Sequence, residues 1–600
     1  MIDRFTNIIA GFLLAIMFLM AVSSIKDDSL TMDELAHLPA GYSYLTQKDM
    51  RLNPEHPPLA KDLAAIPLLF IKGIKFPSEI KDWKQDLSGQ WGFGNFFLFK
   101  TGSPADEMIF WGRIPMILLL IFLGFFIFKW TKELFGNRAA LLALFFYSFS
   151  PTFLAHGRLV TTDVAAAAGA VVSIYYFLKF LQSPNYRNII FAGIAFAIAQ
   201  LFKFSLVLLF PLFVIIFLAW IIFKVEKGKI EKFITYGLKS VLIVFIAFFV
   251  IWLVYFYHTL NLPSERIKTY AKEFLVAHPL NQIFSKLPVK IGGTIEIVSW
   301  MADKPVLKPL SCYALGVFMA TERAAGGNTT YFMGEVSASG WAQYFPIVYI
   351  LKEPLAFHIL TIITLLFAAY SIKRPFWEHT FSRITNWIKN HFTEFIFLIW
   401  LIIYWGISLS SNLNIGVRHL LPVFPFTYIL VAGVIIALLS RVKNILFKFA
   451  GYSILTILIL WQFISVIRVY PYFLSYGNEI AGGPDNLYRY TVDSNFDWGQ
   501  DLKRLKSWVD KSGIDKIYVD YFGGADTEYY LGKKLRSWQG DGDPRELPKG
   551  SYLAVSATFL QGGRGKPVPG FNQPSGYYNW LDKYQPIKKI GYSIFVYQIK

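Results

Sequence analysis

Two short runs carry the groups best suited to chemistry. Thr31-Met32-Asp33-Glu34 follows the first long apolar stretch, and Asn53-Pro54-Glu55-His56-Pro57-Pro58-Leu59-Ala60-Lys61 follows soon after. A carboxylate beside a rigid Pro-Pro turn can take a proton from a hydroxyl nucleophile when burial and a cationic neighbour set its pKa. The alternative is that Asp33 and Glu34 solvate a helix end while Pro57-Pro58 only turns the chain. Further along stand Arg158 and Asp163 within His156-Gly157-Arg158-Leu159-Val160-Thr161-Thr162-Asp163, then Lys203, then Gly416-Val417-Arg418-His419. Cations at helix mouths suit the phosphate of a lipid headgroup, although each one alone is also an ordinary snorkelling anchor. Carboxylates and cations recurring together fit transfer of a group from a phosphate leaving group better than anchoring does.

The elements that must position these residues are membrane spans. The chain has 600 residues, 54% hydrophobic, 18% aromatic and 16% charged, with mean hydropathy +0.43. This lies outside the ordinary soluble range. Hydropathy places spans near 7–25, 109–128, 139–157, 163–181, 189–203, 204–223, 236–257, 354–372, 393–411, 420–440 and 449–468, about eleven in all. The 189–223 stretch reads either as a tight hairpin with Lys203 at its turn or as one long broken helix. The first apolar run exceeds a signal-peptide core of about 7–15 residues, and Ser23, Ser24 and Lys26 make a poor cleavage site, so it counts as a span.

The net charge of +18 sits mostly in short loops between spans, where basic residues act as topogenic signals, and this argues against nucleic-acid binding. Lys129, Lys132 and Arg138; Arg187; Lys224, Lys227, Lys229 and Lys232; Lys373, Arg374, Arg383 and Lys389; and Arg441, Lys443 and Lys448 all fall on one side. The positive-inside rule then gives an N-in, C-out arrangement. Cys312, the single cysteine, excludes an intramolecular disulfide framework and a cysteine metal cage.

Residues 26–108, 258–353 and the tail from about 470 thereby fall outside. In the first of these, Leu59, Leu63, Ile66 and Phe70 share helical spacing around Pro67 and are flanked by Lys61, Lys72 and Lys75, which predicts a helix lying in the interface. In the tail, Asp497 and Gln500 suggest a capping box for a helix with Trp498, Leu502, Leu505 and Trp508 on one face, ended by Gly513. Strand-like runs at 516–522, 552–557 and 592–599 complete a small α/β domain. The expected architecture is a polytopic α-helical membrane protein, with a transmembrane part over 1–469 and an extracytoplasmic α/β domain over 470–600.

The order Asp33-Glu34, then His56-Pro57-Pro58-Leu59-Ala60-Lys61, resembles the first outer loop of protein O-mannosyltransferases, where Asp-Glu precedes His-Pro-Pro-Leu-Gly-Lys. Glu55-His56-Pro57-Pro58 is similar to the Glu-Lys-Pro-Pro of bacterial aminoarabinose transferases. Both belong to the C-type glycosyltransferase superfamily, multispan enzymes that use polyprenyl-phosphate sugars. Thr162-Asp163 and Lys203 also look like that superfamily's fourth-span acid and its Thr-Lys step, with Phe202 in place of the Thr. Tyr331-Phe332-Met333-Gly334-Glu335, Gly340-Trp341, Tyr344-Phe345-Pro346, Asn414 to Pro422 and Asp493 to Leu502 resemble segments of bacterial members. For Asp493 to Leu502 a structural and a functional role are both open.

The resemblance implies an inverting glycosyltransferase of a bacterial-type cytoplasmic membrane, with its site facing outward. It implies a polyprenyl-phosphate-linked sugar donor and a hydroxyl acceptor carried by a protein, lipid or glycan. Asp33 would be the base, Glu34 its support, and Glu55, His56 and Lys61 would bind substrate near the loop. Arg158, Lys203 and Arg418, with His419 beside them, would meet the phosphate. Asp163 would hold sugar hydroxyls, acceptor or a divalent cation. No obligatory metal is expected, since His37, His56, Asp33 and Glu34 match no compact metal motif. Residues 258–353 are too short for the β-trefoil insert of eukaryotic protein mannosyltransferases, and the tail has no counterpart in either branch. The competing classes are a lipid-linked substrate transporter, which predicts broken helices and midplane charges, and a non-catalytic envelope-assembly protein in which Asp33 is dispensable.

Overall fold

The computed structural model describes residues 2–87, 89–276, 293–372 and 379–600. Lys373 and Arg374, counted above among the loop cations, lie outside the described residues. Among these residues eight helices are long and apolar enough to cross a membrane, and the chain is a polytopic helical membrane protein. They include α1 (Ile2–Ser24), Asp163–Gln182, Lys229–His258, Phe392–Leu409, Phe424–Arg441 and Ile445–Ile467.

The difference from eleven expected spans has local causes. Ala105–Ser148 is continuous helix except at Gly136, whose φ of 79° breaks it. At about 1.5 Å per residue a straight helix of that length would far exceed a bilayer core of about 30 Å. It folds back instead: the Tyr147 hydroxyl donates to the Leu120 carbonyl at 2.6 Å, so the two expected spans form an antiparallel pair turned at Gly136. Tyr186–Phe202 has 17 residues and falls below the length criterion. Tyr344–Lys352 and Leu355–Tyr370 are bent by 116° at Pro354, and the expected 354–372 span is the second half of this pair. The two readings of 189–223 are decided by side-chain contact. The rings of Phe196 and Phe213 lie 5.2 Å apart, so the chain reverses at Lys203 as a hairpin.

In the loop after α1, α2 (Met32–Gln47) and α3 (Leu59–Ala65) cross closely. A Cβ on Gly41 would strike the Lys61 carbonyl. The buried residues of α3 are therefore Ala60, Lys61, Asp62, Ala64 and Ala65, not the Leu59 and Leu63 stripe. Ile66, Leu69 and Phe70 are exposed in the turn that follows, with Phe70 82% accessible.

The tail contains a mixed five-stranded sheet in the order β4-β3-β5-β8-β7: β3 Ile517–Asp520, β4 Leu535–Ser537, β5 Tyr552–Ser556, β7 Lys588–Ile590 and β8 Ile594–Gln598. The pairs β3/β4 and β3/β5 are parallel, and β8 is antiparallel to both β5 and β7. A second sheet joins the tail to the other large loop: β1 (Thr330–Phe332) pairs with β2 (Glu335–Ser337), and β2 pairs with β6 (Lys566–Pro567). The tail helix begins at Leu502 rather than at Trp498, with Asp501 at its N-cap position. Asp497 instead accepts from the Thr558 amide at 2.9 Å.

One buried ion pair fastens the N-terminus of α2. Arg113 donates from Nε to Glu34 Oε1 at 2.8 Å and from Nη2 to Oε2 at 2.6 Å, and both side chains have no exposure. Glu34 also accepts from the amide and hydroxyl of Thr31 at 3.0 and 2.9 Å and from the Val160 amide at 2.9 Å. Burial by itself would raise this carboxyl, but Arg113 and the backbone donors hold it below the usual carboxylate range. Removing one partner of such a pair costs about 3–5 kcal/mol because the other charge stays buried. Arg113→Met should accordingly lower the apparent melting temperature in detergent well below that of Glu34→Gln/Arg113→Met, in which no uncompensated charge remains.

Candidate active site

Asp33 stands one residue into α2, next to the anchored Glu34. The α2 helix therefore turns the two carboxylates to different surroundings: Glu34 into the core, Asp33 into a polar space where its side chain keeps 25% exposure. Arg418 Nη1 donates to Asp33 Oδ2 at 2.7 Å and to Asp163 Oδ2 at 3.2 Å. Lys203 Nζ donates to the other oxygen of Asp163. Asp33, Arg418, Asp163 and Lys203 thus form one chain of alternating charge drawn from α2, the turn Val417–Leu420, the start of Asp163–Gln182 and the break after Phe202.

Each position has a local cause. Lys203 is extended, with φ −157° and ψ 132°, at the reversal between two apolar helices, so its ammonium emerges where the helices end. Arg418 follows Gly416, whose φ is 145°; a Cβ there would strike the Ser494 hydroxyl. The Val417 amide donates to Asn495 Oδ1 at 2.8 Å, Arg418 Nε donates to Ser494 Oγ at 3.1 Å, and the guanidinium lies 4.2 Å from the Trp498 ring centre. The Asp493 to Leu502 run, left open on sequence grounds, is the seat of Arg418. Its residues are far from Arg418 in sequence, and nothing in the spacing of the two motifs links them.

His419 and His56 border this cluster. Burial first, then the charges of Lys203 and Arg418, hold the His419 imidazole well below its usual range. Burial, His37, Lys61 and Lys203 do the same for His56. Both rings are therefore neutral near pH 7 and offer hydrogen bonds rather than charge. His56 packs edge-on against His37 at 5.1 Å, and His37 Nδ1 is 3.0 Å from the Val160 carbonyl.

Two expected site residues, Lys61 and Arg158, stand differently, while Glu34 stands beside Asp33 as its support. Glu34 is saturated by Arg113, Thr31 and Val160, so it positions Asp33 and is closed to substrate. Lys61 is 1% exposed and donates to Tyr44 Oη, to the carbonyl and side-chain oxygen of Asn53, and to the His56 carbonyl. It fixes the Pro-Pro turn from inside, and burial brings its ammonium down to about 7. Arg158 turns away to Asp28 and the Ser24 carbonyl. Asp28 also binds Arg504 at 2.7 Å, so Arg158 joins helix ends to the tail instead of joining the Arg418 cluster. Glu55 accepts from Gln90 at 3.2 Å and stands 3.9 Å from Arg323.

One charged group escaped the sequence reading. Arg323, on the helix Lys308–Gly326 of the second large loop, is half exposed, and its charge reaches His56, His419 and Asp493. Asp493 is pushed up to about 6 by burial, against the pull of Arg418. Nothing in the spacing of a loop helix singles out Arg323. Among the described residues no group of three or more His, Cys, Asp or Glu is placed to hold a metal ion.

Residues 105–252 match the family model described as dolichyl-phosphate-mannose-protein mannosyltransferase. Among solved structures, the chain is similar to the archaeal oligosaccharyltransferase AglB from Archaeoglobus fulgidus in complex with an inhibitory peptide and a dolichol-phosphate. The identity is 12%, over 91% of this chain and 69% of that one, with a TM-score of 0.46. It is also similar to ArnT from Cupriavidus metallidurans bound to undecaprenyl phosphate, at 12% identity over 98% and 97% of the two chains and a TM-score of 0.31. No curated protein matches the sequence at a significant level.

The seat of Arg418 makes a measurable claim. A neutral hydrogen bond contributes about 0.5–1.5 kcal/mol, more to a charged group. Ser494→Ala leaves Arg418 Nε and the Ile415 carbonyl without this buried partner, so it should lower the apparent melting temperature in detergent by a few degrees, the mark of a cost of about 1–3 kcal/mol.

Proposed function

We propose, for a chain of the C-type glycosyltransferase superfamily, that it moves a sugar from a polyprenyl-phosphate donor to a hydroxyl acceptor with inversion at the anomeric carbon. The observation that carries this reading is the sharing of Arg418 between Asp33 and Asp163, with Lys203 on the far side of Asp163. Two cations at the ends of membrane helices match a lipid-borne phosphate. An exposed edge of Asp33 lies directly beside them.

The phosphate of the proposed donor brings negative charge to Arg418 and Lys203 and competes with Asp33 for the guanidinium, which opens Asp33 Oδ2 to the acceptor hydroxyl. The acceptor oxygen then attacks the anomeric carbon as the bond from that carbon to the phosphate oxygen breaks. The hydroxyl proton passes to Asp33, and the electron pair leaves on the phosphate, where Arg418 and Lys203 stabilise it. Asp163 keeps the two cations oriented between turnovers. His56 and His419, both neutral, are placed to hydrogen bond to the sugar. The distribution of loop cations supports an N-in arrangement, with this chemistry on the extracytoplasmic side of a cytoplasmic membrane.

The test incubates purified protein with a panel of polyprenyl-phosphate hexoses and hydroxyl acceptors and follows release of the lipid phosphate. Loss of a general base typically costs 10²–10⁴-fold, so Asp33→Asn should lower kcat by at least about 100-fold while donor binding persists. Full rate in Asp33→Asn, with a donor that wild type turns over, rejects the assignment. Lys203→Ala should instead raise the apparent donor KM and lower kcat together.

A further inference from the structure

The tail contains a cleft of about 590 Å³, within the roughly 300–1,000 Å³ of small-molecule sites. It lies outside the carboxyl ends of the parallel strands β3, β4 and β5. The chain leaves β3 for β4 on one side and next returns as β5 on the other. Open α/β sheets bind ligands at such a reversal.

Its walls have one chemical character. Trp538, Tyr577 and Phe559 supply aromatic surface, and Asp520, Asp541 and Gln539 supply polar edges, with no Lys or Arg in the lining. Tyr577 is seated deliberately: a Cβ on either Gly540 or Gly563 would strike its ring. An anionic ligand would meet carboxylates and no cation there. A neutral sugar fits, because its C–H faces lie on aromatic rings while its hydroxyls donate to carboxylates and amide oxygens.

The cleft also adjoins the proposed reaction centre. The loop after β3 forms one rim, and a Cβ on Gly524 would strike the Thr31 carbonyl and press on Leu35, the residues two before and two after Asp33. On the other wall Phe559 follows Thr558, whose hydroxyl accepts from the Asp493 amide at 3.1 Å. Asp493 in turn senses the charges of Arg418 and Asp33. The loop after β3 thus packs on the start of α2, the helix that carries the proposed base.

We infer that this cleft is the acceptor subsite and that it takes a neutral glycan, whose terminal hydroxyl is presented over the Gly523–Asp526 loop to Asp33. The inference rests on the transferase reading above, but glycan binding can be read without turnover. Full-length protein in nanodiscs would be titrated with mannohexaose, cellohexaose and chitohexaose by saturation-transfer NMR and calorimetry, and compared with Tyr577→Ala and the surface variant Asp541→Asn. At least one oligosaccharide should bind, and both variants should weaken it, Tyr577→Ala by about tenfold or more. In transfer assays Tyr577→Ala should raise acceptor KM by a similar factor. If no oligosaccharide binds, if both variants bind within twofold of wild type, or if a Ser/Thr-containing decapeptide is the ligand that Tyr577→Ala loses, the inference is overturned. Glycan binding lost in both variants, in a protein that turns over no donor, would overturn the transferase reading and leave the glycan cleft standing.

Discussion

The arrangement depends on a carboxylate that does no chemistry. Glu34 ties together the start of α2, Arg113 in the helix Ala105–Ser148, and the backbone at Val160. Arg113 extends the knot to the carbonyls of Asp28 and Ser29. A charge pair with no exposure tolerates little displacement, because each partner depends on the other for the whole of its compensation. Asp33 inherits that rigidity from its neighbour. Its direction is set by the core while its oxygens remain in a polar space, which is the combination a proton acceptor needs.

Much of this was legible in the chain. The apolar runs marked the spans, and the carboxylates and cations that now meet, Asp33, Asp163, Lys203 and Arg418, stood out as ionisable groups at helix ends. What spacing did not carry was the difference between a charge that faces the site and one that braces it. Lys61, Arg158 and Glu34 look no different in sequence from Lys203, Arg418 and Asp33. Only three-dimensional neighbours separate them: Asn53 and Tyr44 for Lys61, Asp28 for Arg158, Arg113 for Glu34. Turns were legible in part. Lys129, Lys132 and Arg138 marked a loop between two apolar spans, and the contact of Tyr147 with Leu120 puts the reversal at Gly136, although the helix runs almost unbroken through it.

The tail illustrates a different limit. Asp497 and Gln500 satisfy the spacing of a capping box, and local pattern favoured that use. Tertiary demand took the segment instead. Ser494, Asn495 and Trp498 hold the Val417–Arg418 turn, while Lys352 donates to the Asn495 carbonyl at 2.7 Å. Segments without regular structure that make this many specific bonds are costly to rebuild, because every donor and acceptor must find a new partner. The pairing of β2 with β6 adds backbone bonds between the same two parts of the molecule. The tail is therefore bolted to the helical part rather than tethered to it.

Arg418 and the residues that seat it also differ in time. A chain is made from its N-terminus, so Asp33, Asp163, Lys203 and Arg418 all exist before Ser494 and Trp498 do. Until the last segment folds, the arginine has its two carboxylates and nothing beneath it. A chain that ends before Ser494 thus has the four charges without the residues that aim Arg418.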